Sequence, residues 1–155
     1  MIHLFRHAHA GKRTDWDGAD EERPLTEHGR RESLVVADRL AATGVTRILT
    51  SPYLRCVQSA RPLSETTGLS LEIEMALEEG ADPERTVSLL AEIEPGTVLC
   101  SHGDVIAALI GRAAAEGADL DGKLIWEKGS LWHLETGAEG RILSGRYEPP
   151  PITAP

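Results

Sequence analysis

A chain of 155 residues with 41% hydrophobic content can bury one good core and is too short for two ordinary domains. Its 16 Lys and Arg against 25 Asp and Glu give a net charge of −9, which opposes non-specific binding to nucleic acid or to an anionic membrane. Small phosphorylated ligands stay open, because Arg6, Lys12, Arg13 and Arg55 can form a positive cluster within an acidic protein.

Ile2 to Phe5 is a short apolar run without alternation, the mark of a strand buried on both faces, and it ends in Arg6-His7. Leu34, Ala37, Leu40 and Ala41 recur at helical spacing and stop at Gly44. Arg47 to Thr50 is a second buried strand. Ser51 is expected as the N-cap and Pro52 as the first residue of the next helix, which puts Arg55 in its first turn. That helix carries Val57, Ala60, Leu63 and Ser64 and stops near Gly68; Leu69 to Ile73 reads as a further short strand. Val87, Leu90, Ala91 and Ile93 form a third amphipathic stretch that Pro95-Gly96 ends. Thr97 to Cys100 is a third buried strand, followed by Ser101-His102-Gly103. A helix from about Gly103-Asp104 carries Val105, Ile106, Leu109, Ile110 and Ala113. Its first N–H groups, beside His102, suit an anion.

Ser130 to Leu134 and Arg141 to Ser144 read as strands joined by a turn over Thr136 to Gly140. Residues 148–155, with Pro149-Pro150-Pro151, cannot enter a sheet interior and are expected as an extended tail behind a single domain of residues 1–147. Alternating strands and helices imply an α/β fold: a three-layer α/β/α sandwich with a largely parallel central sheet, its ligand at the carboxyl ends of the strands. There is no charged-then-apolar leader, no apolar run near the roughly 20 residues of a membrane span, and Cys56 and Cys100 are too few for a disulfide framework. A soluble protein of the reducing cytoplasm is expected, with Cys100 a buried small hydrophobe rather than a nucleophile.

Arg6-His7, Ser51-Pro52-x-x-Arg55 and Ser101-His102-Gly103 each follow an apolar strand, so two arginines and two histidines arrive at equivalent strand ends. Guanidinium forks hold phosphate oxygens in pairs, and a neutral imidazole is nucleophilic enough to attack phosphorus. His7 is the expected nucleophile. Arg6 and Arg55 would clamp the non-bridging oxygens, with His102 as a further donor. His3, His7 and His9 share strand parity, which raises a metal site, but no carboxylate or cysteine pattern accompanies them and the neighbouring arginines would repel a cation. No cofactor or metal is expected.

In order and spacing these segments resemble the histidine phosphatase superfamily, which includes phosphoglycerate mutases and SixA-type phosphohistidine phosphatases. Arg23-Pro24-Leu25-Thr26-x-x-Gly29 is similar to another of its recurring segments. The short length and Ala8, where the mutases usually carry Gly, bring the chain nearest the SixA-like branch. Trp126-Glu127-Lys128-Gly129-Ser130-Leu131-Trp132 also resembles the phosphatase half of bacterial Nudix–phosphatase fusion proteins.

The resemblance implies a phosphoglycerate mutase-like fold and a metal-independent phosphatase working through a phosphohistidine intermediate. It further implies a general acid in a Leu-x-Glu segment, which Leu77-Glu78-Glu79 supplies, with Glu79 in the matching position and Glu78 in reserve. Lys12 and Arg13 are candidates for a second phosphate or an acidic peptide, or simply a charged loop, and Gly103 for binding substrate through its backbone. The segment from Ser51 to Gly96 leaves little room for a long lid, so an open pocket is expected. The expected partner is a phosphorylated substrate, either phosphohistidine in a protein or a small metabolite. Hydrolysis of nucleotide or dinucleotide phosphates is the enzymatic alternative, and a phosphate-binding scaffold without turnover is the alternative of another class.

Overall fold

A computed structural model describes residues 1–153. Its strands are β1 (Ile2–Arg6), β2 (Arg47–Thr50), β3 (Leu71–Ile73), β4 (Thr97–Ser101), β5 (Asp119–Asp121), β6 (Leu131–Thr136) and β7 (Ile142–Glu148). Its helices are α1 (Glu27–Ala41), α2 (Leu54–Thr67), α3 (Pro83–Glu92) and α4 (Gly103–Ala115). The strands form one sheet in the order β3-β2-β4-β1-β6-β7-β5. Pairing is parallel among β3, β2, β4 and β1 and between β5 and β7, and antiparallel for β1 with β6 and β6 with β7. The mostly parallel α/β architecture expected from the sequence is the one observed.

Successive residues of the central strands point to opposite faces, and each face buries a separate apolar cluster. Leu4, Leu49, Leu99 and Trp132 pack with Leu90, Ile106 and Ile110 of α3 and α4. Phe5, Ile48, Val98 and Leu131 pack with Val36, Leu40, Ala60 and Leu63 of α1 and α2. This two-sided burial is why the runs at β1, β2 and β4 lack polar alternation. Cys56 and Cys100 are free, buried thiols in the second cluster.

Several boundaries differ from those expected. α1 starts well before Leu34, because Thr26 caps it by accepting the Gly29 N–H at 3.1 Å. Gly29 has to be glycine, since a Cβ there would lie 2.0 Å from the His9 carbonyl oxygen. α2 begins at Leu54 with Tyr53 as its N-cap, not at Pro52 after Ser51; Arg55 nonetheless falls in its first turn. The Ser51 hydroxyl accepts the Tyr53 N–H and also meets His102, so it closes the turn that precedes the helix. β5 carries only Leu120 between two aspartates and gives almost no apolar signal. Glu148, expected to open the tail, closes β7 instead, because its carboxylate accepts from Arg39 and His133. The following segment folds back: Pro151 is buried and Thr153 Oγ1 lies 3.2 Å from His28 Nδ1. The last two tail residues, Ala154 and Pro155, lie outside the described residues. No described helix is long and apolar enough to cross a membrane.

His3, in the body of β1, meets His133 of β6, with the two Nδ1 atoms 2.7 Å apart. Burial, reinforced by His133, pulls the His3 pKa from 6.5 down to about 4. The folded chain therefore binds this proton more weakly than the unfolded chain. The associated stability is complete above pH 6.5 and is lost as the pH falls toward 4. Urea unfolding compared at about pH 7.5 and about pH 4.5 should show a loss of about 2–3 kcal/mol from this group. His3→Gln should flatten that part of the pH dependence, and an unchanged slope in the variant would count against the assignment.

Candidate active site

The parallel register sets the site. Arg6 pairs with Ser101 across β1 and β4, and Thr50 pairs with Cys100 across β2 and β4, so β1 and β4 end level and β2 ends one residue short of them. The next residues continue the alignment, with His7 N–H donating to the Ser101 carbonyl at 3.0 Å and Ser51 N–H to the Cys100 carbonyl at 2.9 Å. Arg6 and His7, Arg55 and His102 are thereby brought together, as their strand-end positions implied. The rings of His7 and His102 stand edge to face with centroids 5.4 Å apart. Beside them opens a cavity of about 470 Å³ whose walls include Arg6, His7, Arg55, Glu79, Gly103 and Lys128.

His7 is buried, and its Nδ1 lies 2.8 Å from the Ala8 carbonyl oxygen. A carbonyl only accepts, so Nδ1 carries the proton and Nε2 keeps its lone pair in the neutral ring. Burial pushes the His7 pKa well below its ordinary value; the Ala8 bond opposes this, while the neighbouring His102, Arg55 and Arg6 add to it. The ring is neutral at physiological pH, as a nucleophile requires.

Each of the other groups is also tied on one side. Arg6 Nη1 donates to the Trp126 carbonyl at 2.6 Å. Arg55, only 1% exposed, donates from Nη1 to the Asp20 carbonyl at 2.8 Å and from Nη2 to Asp20 Oδ2 at 3.0 Å. His102 Nε2 lies 2.8 Å from Ser51 Oγ. Among the described residues four buried side-chain polar atoms have no protein partner, and three of them belong here: Arg6 Nε, Arg55 Nε and His102 Nδ1; the fourth is Arg31 Nε. Buried polar atoms are normally paired, so three orphans in one cluster mark a place for a polar ligand. Gly103 contributes space: a Cβ there would stand 2.9 Å from the Arg6 Cζ.

The surrounding charges are more interlocked than the sequence indicated. Asp20, in a single helical turn over Asp20–Glu22, receives Arg55, Arg23 (3.0 Å) and Arg13 (3.2 Å). Desolvation alone would raise its pKa, but the hydrogen bonds and charges of Arg23 and Arg55 outweigh that and pull it down to about 2. Glu79 lines the cavity, and both its oxygens accept from Arg13, at 3.1 and 3.0 Å, while Oε2 lies 3.5 Å from Arg55. Lys12 and Arg13 line the cavity on its exposed side. Lys128 reaches the same cavity and donates to the Gly11 carbonyl at 3.3 Å. Burial, then the charges of Arg6, Arg23 and Arg55, lower its pKa.

Asp20, Arg23, Lys128 and the Ser51 contact are the parts that sequence reasoning did not assign. Asp20-Glu21-Glu22 looks like a solvated acidic run, although Arg23 and Lys128 both lie in the segments that carry the family resemblance. The histidines of shared parity do not converge: His3 meets His133, His7 bonds Ala8, and His9 Nδ1 lies 2.7 Å from Thr26 Oγ1.

The chain is 32% identical over 157 aligned positions to an 8-oxo-(d)GTP phosphatase of Mycolicibacterium smegmatis, an alignment covering 96% of this chain and 48% of that protein. It thus spans about half the length of that curated relative. Among solved structures, the protein histidine phosphatase SixA complexed with tungstate superposes with a TM-score of 0.71 at 22% identity, covering 95% of this chain and 93% of that one. A mycobacterial glucosyl-3-phosphoglycerate phosphatase complexed with VO3 gives 0.69 at 18% identity, with 95% of each chain covered. At these identities the structures speak for the fold alone. Residues 2–88 match the family model described as Histidine phosphatase superfamily (branch 1), and with that span of more than half its length the chain belongs to this superfamily.

Proposed function

We propose that this chain is a metal-independent phosphatase acting through a phosphohistidine on His7. The observation that carries the reading is the unpaired set: a neutral His7 with a bare Nε2, in one cluster with three buried polar atoms that lack protein partners, Arg6 Nε, Arg55 Nε and His102 Nδ1. Nε2 attacks the phosphorus, the P–N bond forms, and the bond to the leaving group breaks. Water then attacks the phosphohistidine, releasing inorganic phosphate and restoring the lone pair. Arg6, Arg55 and His102 hold the non-bridging oxygens, where charge is spread during transfer.

The substrate is phosphohistidine in a protein or a small phosphorylated metabolite. Glu79 is the acid for alkoxide leaving groups. Both its oxygens serve as acceptors for Arg13, so proton donation requires that contact to open. A phosphoramidate, whose leaving nitrogen can already carry a proton, makes less demand on it. Hydrolysis of nucleotide phosphates is the second reading. It is favoured by the name of the mycobacterial relative and by Lys12, Arg13 and Lys128, cations along the cavity beyond those assigned to one phosphoryl group. The negative net charge and the two free thiols accord with a cytoplasmic enzyme that binds neither nucleic acid nor membrane.

With p-nitrophenyl phosphate as substrate, quenched wild-type protein should carry phosphate that is acid-labile and base-stable. His7→Ala should carry none and lose turnover while unfolding as the wild type does. A purified His7→Ala protein with near-wild-type rate would refute the covalent route. Glu79→Gln should slow alkyl phosphates by roughly 10²–10⁴ and p-nitrophenyl phosphate far less, because the latter leaving group needs little protonation. Equal losses on both substrates would assign Glu79 a binding or structural role.

A further inference from the structure

His102 is held from behind by the segment that joins β2 to α2. Its Nε2 lies 2.8 Å from Ser51 Oγ and 3.5 Å from Cys56 Sγ, and all three residues are buried. The Tyr53 ring stands edge to face with the imidazole, centroids 4.8 Å apart, so the ring cannot turn freely. Ser51 is itself fixed, since its backbone N–H donates to the Cys100 carbonyl two residues before His102.

Ser51 Oγ already accepts the Tyr53 N–H at 3.2 Å, which leaves the hydroxyl proton to be placed. A buried hydroxyl proton left without an acceptor is costly. The His102 Nε2 lone pair is the acceptor at hydrogen-bond distance. If Nε2 accepts, the neutral ring carries its proton on Nδ1, the ring atom that has no protein partner. The opposite tautomer would send Nε2–H to Ser51 and commit the hydroxyl proton to the Cys56 sulfur, which lies 3.5 Å from the same Nε2. It would also present a lone pair, rather than an N–H, to phosphoryl oxygens.

We propose that Ser51 is a positioning residue that fixes His102 as the Nδ1–H tautomer, making it a donor to the oxygens that Arg6 and Arg55 hold. Ser51 does not touch substrate; it acts through His102. Its assignment rests on the phosphatase reading only where a rate is measured, because the tautomer is a property of the resting protein.

The test is nitrogen-15 NMR of the histidine rings at neutral pH, with His102→Gln identifying the signals. Wild-type His102 should show a protonated Nδ1 and a bare Nε2. Ser51→Ala should lose that single tautomer, and its kcat on p-nitrophenyl phosphate should fall about tenfold or more, toward the 10²–10³ that outright loss of such a donor brings, with KM changing less. A wild-type His102 protonated at Nε2, or at both nitrogens, overturns the proposal. So does a Ser51→Ala protein whose His102 keeps the Nδ1–H form. If Ser51→Ala does not fold, the wild-type spectrum decides alone; if the wild type turns over no phosphate ester, the phosphatase reading fails while the spectrum still settles the tautomer.

Discussion

The register of β1, β4 and β2 is the constraint on which the rest of this molecule depends. Parallel strands that end within one residue of each other place the first residue beyond each of them at the same edge of the sheet. Here those residues are His7, His102 and Ser51. Because side chains alternate with a period of two, a slip of one residue would move every side chain to the opposite face and undo the packing of both buried clusters. The two buried clusters therefore hold the site geometry as well as the fold. A second set of bonds ties the helix to the strand: Ala8 N–H donates to Ser59 Oγ at 2.9 Å, and that hydroxyl donates to the Arg55 carbonyl at 2.7 Å. The strand that carries His7 and the helix that carries Arg55 are thus tied through Ser59.

The site resolves an electrostatic conflict. Arg55 is almost fully buried, and an isolated guanidinium there would be expensive to desolvate. Asp20 meets part of that cost by taking two of its donors, through a carbonyl and a carboxylate. It binds only the terminal nitrogens, leaving Nε without a protein partner. The same division recurs around the cluster, with Trp126 on Arg6, Ala8 on His7 and Ser51 on His102. Each group has one side tied to protein and one atom unspent. Such preorganisation lets donors meet developing charge without having to reorganise.

How much of this was legible in the sequence follows from the range of the interactions. β1, β2 and β4 could be read because burial on both faces leaves an uninterrupted apolar run. Arg6, His7, Arg55 and His102 could be read because each sits within a few residues of such a run's end. The Asp20 to Arg55 bond spans 35 residues and the Lys128 to Gly11 bond spans 117, with no local pattern to announce either. Asp20 was further masked by Glu21 and Glu22, which give it the look of solvated surface. Ser51 was assigned a local cap because that is the commonest use of serine before a helix; its partner, His102, is distant in sequence and adjacent only through the sheet. β5 and the last residues of β7 give no such run for the converse reason, being polar strand segments held by pairing and by Glu148's ion pairs rather than by apolar periodicity.

In the proposed mechanism four atoms from three chain segments, His7 Nε2, Arg6 Nε, Arg55 Nε and His102 Nδ1, form one receptor for a phosphoryl group. A crystal structure of the protein with tungstate tests it most directly. Tungsten should face His7 Nε2, with tungstate oxygens accepting from Arg6 Nε, Arg55 Nε and His102 Nδ1, and with the bond from His7 Nδ1 to Ala8 intact. Tungstate seated only on Lys12 and Arg13, with those three donors still unpaired, would contradict it.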